Sequence, residues 1–459
     1  MQDDEANRFS ARASRYARLG ANAGALAARM ASNRVTGARG GDAQALARAL
    51  GSLKGPLMKV AQMMATIPEA LPADYAEELI KLQSQAPPMG AGFVKRRMQA
   101  ELGVDWRRRF SEFNLSPAAA ASLGQVHRAA SIEGERLACK LQYPDMASAV
   151  EADLVQLDLL FSIHRRMGPA IDTREIAREI GARIREELDY FREARLARLY
   201  RNMLAGRPLV RVPRIFDALS TRRLLTMQWL DGDRLTDFQD APAEPRNTIA
   251  MALFDAWWLP FSKFGVIHGD PHLGNYTVVS SGQGDSRRVE AVNLFDYGCV
   301  RIFPAGFVGG VVELYEGLKQ GDEARVVHAY EIWGFTRLSR ETIAALNVWA
   351  RFIYGPLVDD RVRSIADGVK PGEYGRREAF AVARALRAQG PLKVPREFVF
   401  MDRAAIGLGA AFLRLRAELN FHRLFEAAIE GFKIDAVAER QREALEAVGL
   451  DAAEQQSDR

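Results

Sequence analysis

Apolar positions in the first part of the chain recur at helical spacing. Leu53, Leu57, Val60, Ala61 and Met64 fall three or four residues apart beside Gly55-Pro56, and a second periodic run, Ala73–Gln85, follows Pro72. Ala, Arg, Leu and Met, all strong helix formers, dominate this stretch. The pattern predicts an all-helical extension over residues 1–110. From about Phe113 it shortens to β-rich runs, Gly124–Ala130, Arg136–Gln142, Arg214–Ala218 and Arg223–Trp229, broken by turn residues such as Glu133-Gly134. Ala147–Met167 and Ile176–Leu199 between them read as helices, so residues 111–230 are expected to form a five-strand lobe carrying one or two helices. After Asp231-Gly232 the helical period returns. Met251, Phe254, Trp258 and Phe261 give Arg246–Phe264 a wide apolar face that belongs in a core. A compact loop–strand–loop region, Val266–Gly298, precedes helices that run to about Phe432. Residues 231–435 are thus expected as a mostly helical lobe, and the charged, Gln-rich 436–459 as a partly frayed helical tail.

Composition narrows the class. With 48% hydrophobic and 26% charged residues the chain is that of a folded globular protein. Its 63 basic and 58 acidic residues leave a net charge of +5 spread without any long Lys/Arg run, which argues against a nucleic-acid partner. The short basic stretches, Arg107–Arg109 and Arg222-Arg223, suit solvated faces and, secondarily, anionic lipid headgroups. Cys139 and Cys299 are the only cysteines, which predicts a reducing compartment with neither a disulfide framework nor a zinc site. The longest apolar runs, Phe303–Val312 and Ala404–Leu413, are too short to span a bilayer, and the start, with Asp3, Asp4 and Glu5, lacks a signal-peptide pattern. The expectation is a cytoplasmic protein that rests at most on a membrane surface.

The sharpest chemical signal is His268-Gly269-Asp270-Pro271-His272-Leu273-Gly274-Asn275, after the apolar run Phe264–Ile267. Phosphoryl transfer needs a carboxylate to orient or deprotonate the attacking hydroxyl and a neutral oxygen ligand for a phosphate-bound metal. Asp270 and Asn275, five apart on one loop, meet those needs. A second signal follows 26 residues after Asp270: Asp296-Tyr297-Gly298, at the end of the apolar stretch Val292–Phe295. In kinase-like folds a hairpin fills such a gap and ends in an Asp-x-Gly whose carboxylate holds Mg²⁺. Here the hairpin would be Tyr276–Ser280 and Val289–Leu294, turning near Gly282 and Gly284.

The third signal is Leu137-Ala138-Cys139-Lys140, the Ala-x-Lys form of a strand lysine that neutralises phosphate charge. Gly124-Gln125-Val126 lies where a phosphate-covering loop should end. Ahead of it, Ala118, Ala119, Ala120, Ala121 and Ser122 stand where that loop should carry glycines, so their Cβ atoms should make it stiffer. A phosphate lysine also needs a carboxylate partner. Glu186, Asp189 and Glu193 recur at three and four on the predicted helix Ile176–Leu199, with Glu187 pointing elsewhere. Such an acidic face is commonly just solvated, and the spacing leaves open whether Glu187 or Glu193 meets Lys140.

In this combination the residues resemble the UbiB/ADCK-type (AarF-like) atypical kinase-like family over about residues 40–430. The match runs through the Ala-rich segment into Gly124-Gln125-Val126-His127, Lys140, the Glu187-Leu188-Asp189 motif with Tyr190 and Glu193, the His268–Asn275 loop and Asp296. The resemblance implies a bilobal α+β protein-kinase-like fold with an N-terminal helical extension. It implies ATP or ADP bound by Ala118–Ser122, Gly124, Val126, Lys140 and Met227, and Mg²⁺ bound by Asn275 and Asp296. It gives catalytic roles to Asp270, Lys140, Glu187 and Glu193 and regulatory roles to Lys59, Gln62 and Asp189. The family's Lys-x-Gly-Gln motif reads Lys59-Val60-Ala61-Gln62 here, with Ala61 in place of glycine, and His272 stands where protein kinases usually carry a lysine. With a shielded site and an alanine loop, that departure argues against phosphorylation of proteins in trans. The resemblance implies ATPase or small-molecule kinase activity supporting ubiquinone biosynthesis, with a quinone-precursor lipid, an anionic membrane and other enzymes of that route as partners. Two other readings share the motifs: a small-molecule phosphotransferase of the aminoglycoside or choline kinase type, and a nucleotide-dependent lipid-handling scaffold without required turnover.

Overall fold

The computed structural model describes residues 89–155, 181–369, 375 and 396–450, apart from the single positions 122, 145, 152, 153, 183, 283 and 337. Lys59, Gln62 and Ser122 lie outside the described residues, as do nearly all of the expected helical extension and residues 451–459 of the expected tail. The chain divides into two compact units, Met1–Tyr190 with Phe216–Thr226, and Phe191–Ile215 with Met227–Arg459.

In the first unit, α1 (Ala91–Leu102) buries Val94, Met98 and Leu102, a stripe of three residues spaced four apart down one face. That stripe joins a core with Trp106, Phe110, Ala129, Leu137, Cys139 and Leu141. The rings of Trp106 and Phe110 meet Phe113 edge-on at 5.1 and 5.4 Å. Four strands form the sheet, in the order β1 (Phe110–Ala121), β2 (Gly124–Ser131), β3 (Arg136–Gln142) and, after an intervening stretch of chain, β5 (Leu224–Gln228). Among the described residues the sheet has four strands, where five were expected. Its first strand is absent from the sequence reading because Asn114, Ser116, Pro117 and four alanines have little β propensity. As an edge strand β1 tolerates Pro117, and its pairing with β2 slips on either side of that residue. Arg214–Ala218, expected as a strand, makes only the isolated bridge Ile215–Met227 and leads into a 3₁₀ turn at Asp217–Leu219.

The expected helix Ile176–Leu199 is two helical segments among the described residues. The first ends at Glu186, a turn covers Glu187 and Leu188, and α2 (Tyr190–Met203) starts afresh. Tertiary hydrogen bonds explain the break. Gln142 Nε2 donates to the Leu188 carbonyl at 3.2 Å, and the Tyr190 N–H goes to Arg222 O at 3.1 Å instead of to a helical carbonyl. Glu186, Asp189 and Glu193 therefore do not share one continuous helix face, which corrects the spacing argument.

In the second unit β4 (Val210–Arg211) runs parallel to β9 (Arg288–Leu294), which pairs antiparallel with β8 (Tyr276–Ser281), which pairs with β6 (Asp233–Arg234). The β8–β9 hairpin turns through left-handed Gly282 and Gly284, at φ +77° and +55°. A separate ribbon pairs β7 (Val266–His268) with β10 (Val300–Ile302). The long α3 (Ala243–Phe264) buries Leu253, Phe254, Trp257 and Phe261, while Met251 lies outside that face at 36% exposure. It stops at Gly265, φ +64°, whose N–H returns to Phe261 O. Helices α4 (Ala305–Gln320), α5 (Glu323–Ile332), α6 (Arg340–Val358), α7 (Arg396–Arg414), α8 (Phe421–Ile429) and α9 (Ile434–Glu446) follow among the described residues. The described part of the tail is docked rather than frayed. Val437 and Leu445 of α9 are buried, and Gln441 Nε2 donates to Phe264 O and Phe303 O at 2.7 and 2.8 Å.

Candidate functional site

The second unit builds a loop around Asp270 from both ends of its hairpin. β7 delivers His268, fully buried, opposite Val300 of β10. Gly269 then donates its N–H to Cys299 O at 3.1 Å, and a Cβ at this position would lie 2.3 Å from that oxygen, so only glycine fits. His268 Nε2–H donates to Phe295 O at 3.1 Å. Burial holds the His268 imidazole below its ordinary pKa, against the opposing pull of the Asp270 and Asp296 charges.

Beyond Asp270 the chain closes in a single 3₁₀ turn, Leu273–Asn275. The exposed His272 caps it, its Nδ1 accepting the Gly274 N–H at 3.1 Å. Asn275 then ties the loop shut. Its Nδ2 donates to Asp270 O at 3.1 Å and Asp270 Oδ2 at 3.2 Å, while its own carbonyl accepts the Phe295 N–H at 2.9 Å. The β8–β9 register, Tyr276 opposite Leu294, carries the chain from there to Asp296. Asp270, Asn275 and Asp296 are therefore set on one hydrogen-bonded frame.

Asp296 itself sits at φ +58°, a left-handed conformation unfavourable for an L residue and best tolerated by Asn, Asp and Gly. Its Oδ1 accepts the Gly298 N–H at 3.4 Å, and Tyr297 turns inward to donate its hydroxyl to Leu294 O at 2.7 Å. A packed aromatic layer supports this turn. Tyr200 meets Tyr297 at 5.5 Å and His268 at 5.9 Å between ring centroids, and Trp257 Nε1 donates to the Tyr276 hydroxyl at 3.1 Å. Burial pushes the Tyr276 phenol far up, with Asp270's charge adding to it, and burial does the same to Tyr297, next to Glu193 and Asp296 among others. Glu193 is itself buried on α2. Sequence reasoning missed Trp257, Tyr200 and Tyr276, whose only signal was apolar periodicity.

The first unit places the expected phosphate lysine on β3. Lys140 is 7% exposed, pairs with Val126 across the β2–β3 ladder, and holds its ammonium 5.2 Å from the Tyr190 ring centre. Ala119, Ala120 and Ala121 lie on β1 opposite Val126, Gln125 and Gly124, and Ala118 is on the same strand, so the alanines form the arm of a tight hairpin and not an open loop. A Cβ on Gly124 would stand 2.3 Å from Leu141 O of β3. Behind them Gln125 accepts the Met89 N–H at 2.8 Å and meets His127 Nε2 at 2.9 Å, while His127 Nδ1–H donates to Asn114 O. Glu187 is buried in the turn before α2, Asp189 is half-buried beside it, and Met227 ends the bridge to Ile215.

The residues fit a magnesium–nucleotide complex. With Asn275 Nδ2 committed to Asp270, its Oδ1 is left as the acceptor, and with Asp296 it offers the pair of hard oxygen donors that Mg²⁺ takes alongside phosphate oxygens. Among the described residues no group of three His, Cys, Asp or Glu side chains is arranged to hold a metal, and no helix is long and apolar enough to cross a membrane.

Comparison with known proteins places the chain in a family. Residues 81–330 match the ABC1 atypical kinase-like domain. The zebrafish (Danio rerio) mitochondrial atypical kinase COQ8B is 27% identical over 287 residues, 62% of this chain and 45% of that protein. The mitochondrial atypical kinase COQ8 of Saccharomyces cerevisiae is 27% identical over 257 residues, 56% of this chain and 50% of its own. The chain thus spans about half the length of these curated relatives. Among solved structures, the Rv3197–erythromycin complex from Mycobacterium tuberculosis aligns with a TM-score of 0.58 at 25% identity, covering 89% of this chain and 97% of that one.

Proposed function

This chain belongs to the ABC1 atypical kinase-like family, and from that premise we propose that it binds ATP or ADP with Mg²⁺ and cleaves or transfers the terminal phosphoryl group. The observation that carries the reading is Asn275, whose side chain grips Asp270 and whose carbonyl grips Phe295, next to Asp296. Asp270 accepts the proton of the attacking water or hydroxyl as its oxygen bonds to phosphorus and the bond to the leaving diphosphate breaks. Asn275 and Asp296 hold the cation, which neutralises the phosphate oxygens. Lys140 offsets phosphate charge, with Glu187 or Glu193 as its carboxylate partner, and the hairpin arm Ala118–Ala121 with Ser122, Gly124, Val126 and Met227 borders the nucleotide. Lys59, Gln62 and Asp189 are assigned regulatory roles on the same reading.

The same reading places the activity in support of quinone-lipid biosynthesis, at the surface of an anionic membrane, with a quinone-precursor lipid and enzymes of that route as partners and no nucleic acid. The test measures Mg²⁺-dependent ATP hydrolysis with and without anionic liposomes and a quinone-precursor mimic. Hydrolysis raised by those additions is expected and supports the reading. Efficient phosphorylation of a soluble aminoalcohol or aminosugar, with no response to lipid, would replace it with the small-molecule kinase.

A further inference from the structure

Gly407 lies in the middle of α7, far along the chain from the catalytic loop, yet the two are in intimate contact. A Cβ built on Gly407 would stand 2.0 Å from Cγ and 2.9 Å from Cβ of Pro271. The first is the shortest approach to a side chain at any described glycine, and the atoms met belong to a closed ring that cannot swing away. Pro271 directly follows Asp270. Its ring fixes its own φ and restricts the backbone of the residue before it, so a displacement of the ring is passed to Asp270 with little slack. On the other side Asn275 holds Asp270 through two hydrogen bonds. The loop is thus fixed from within by Asn275 and from outside by the bare backbone of α7.

The residues around Gly407 make that outer wall rigid. Ala404, Leu408, Ala411 and Phe412 on the same helix are buried in the core of the unit, so α7 cannot back away to make room. A glycine inside a helix is otherwise a local weakness, and here it is the one side chain size that lets the helix meet the proline. We propose that Gly407 is a positioning residue for the reaction: by seating Pro271 against α7 it sets the placement of the Asp270 carboxylate. The proposal rests on the phosphoryl-transfer reading for its kinetic consequence, and on geometry alone for its structural one.

The experiment compares Gly407→Ala, Pro271→Ala, the double variant, and Gly355→Ala, a helical glycine with open space around its Cβ position. Gly407→Ala is expected to lower the turnover number at least tenfold, a larger factor than any weakening of Mg·ATP binding, because the group displaced first is the Asp270 carboxylate while Lys140 and Asp296 are not touched. Adding Pro271→Ala removes the ring that the new methyl strikes and should restore most of the lost turnover, whereas Gly355→Ala should behave as wild type. In parallel, amide hydrogen exchange is followed at Asn275 and Phe295, whose N–H groups close the frame onto His272 O and Asn275 O. It should accelerate in Gly407→Ala and recover in the double variant. Wild-type turnover and exchange in a folded Gly407→Ala protein, or no recovery in the double variant, would overturn the proposal. If the wild-type protein neither hydrolyses ATP nor transfers phosphate, the functional reading fails, and the exchange rates still decide whether Gly407 seats the loop.

Discussion

At the residue scale the geometry separates what a side chain does from what its backbone must tolerate. Asp296 carries both demands, a left-handed φ of +58° and, on the proposed function, a carboxylate for the cation. Asn tolerates that conformation almost as well as Asp, so Asp296→Asn should fold with near wild-type stability. Without the charge it should lose Mg²⁺-dependent nucleotide binding by roughly tenfold or more. Titration calorimetry with Mg·ATP reads this directly, and an unchanged affinity would remove Asp296 from the site. His127 gives a pH prediction. Burial lowers its pKa from the ordinary value, outweighing its bond to Asn114 O. The unfolded chain therefore takes up a proton that the native imidazole refuses. Stability should fall as pH drops below about 6.5, and the slope should be shallower by up to about one proton in His127→Gln. Urea melts between neutral and mildly acidic pH measure it. Asp270, Asn275 and Asp296 were legible in the sequence as candidates because motif spacing marks them. Trp257, Tyr200 and Tyr276 were not, because a core aromatic that braces the Asp270 loop has the same periodicity as one that merely fills space.

At the element scale local pattern worked where a segment's partners were its neighbours. The β2, β3, β8 and β9 strands and helix α3 all follow from alternation or helical period within one segment. The failures have tertiary causes. β1 is a strand because β2 supplies its ladder, not because Pro117 and the alanines favour it. The helix expected through Asp189 breaks because Gln142 and Arg222 claim its backbone groups. The tail docks because Gln441 finds two carbonyls at the end of α3 and beside β10, more than a hundred residues away. Gly124 offers the element-scale test. Its β2 backbone comes so close to β3 that an added Cβ would meet Leu141 O at 2.3 Å and Gln142 Cα at 3.1 Å, with no flexible side chain to yield. Gly124→Ala should force the strands apart one residue from Lys140 and destabilise the protein by about 1–3 kcal/mol. Nucleotide affinity should weaken with it, because the Val126–Lys140 pairing lies two positions along the same ladder. Urea denaturation and a nucleotide titration on the same preparation check both halves, and a loss of stability with intact affinity would detach Lys140 from the nucleotide.

At the scale of the whole molecule, nucleotide binding and folding are one linked equilibrium, which makes the proposed function testable without knowing the acceptor. A ligand that binds only the native state stabilises it by RT ln(1 + [L]/Kd), about 2.7 kcal/mol at a hundredfold excess over Kd. For a folding unit of 150–250 residues that corresponds to a rise in Tm of about 5–10 °C. Mg·ATP should therefore raise the melting midpoint of the wild-type protein by that amount, and EDTA should remove most of the effect. Lys140→Ala is the decisive comparison. Its ammonium is nearly buried under the Tyr190 ring, so the substitution changes the ligand-free midpoint as well, and the quantity to compare is the ligand-induced shift within each protein. If Lys140 opposes phosphate charge, each tenfold loss of affinity removes about 1.4 kcal/mol of linkage, and the shift at fixed Mg·ATP should shrink by several degrees. A Lys140→Ala protein that gains as many degrees from Mg·ATP as the wild type would show that the strand lysine takes no part in holding the nucleotide.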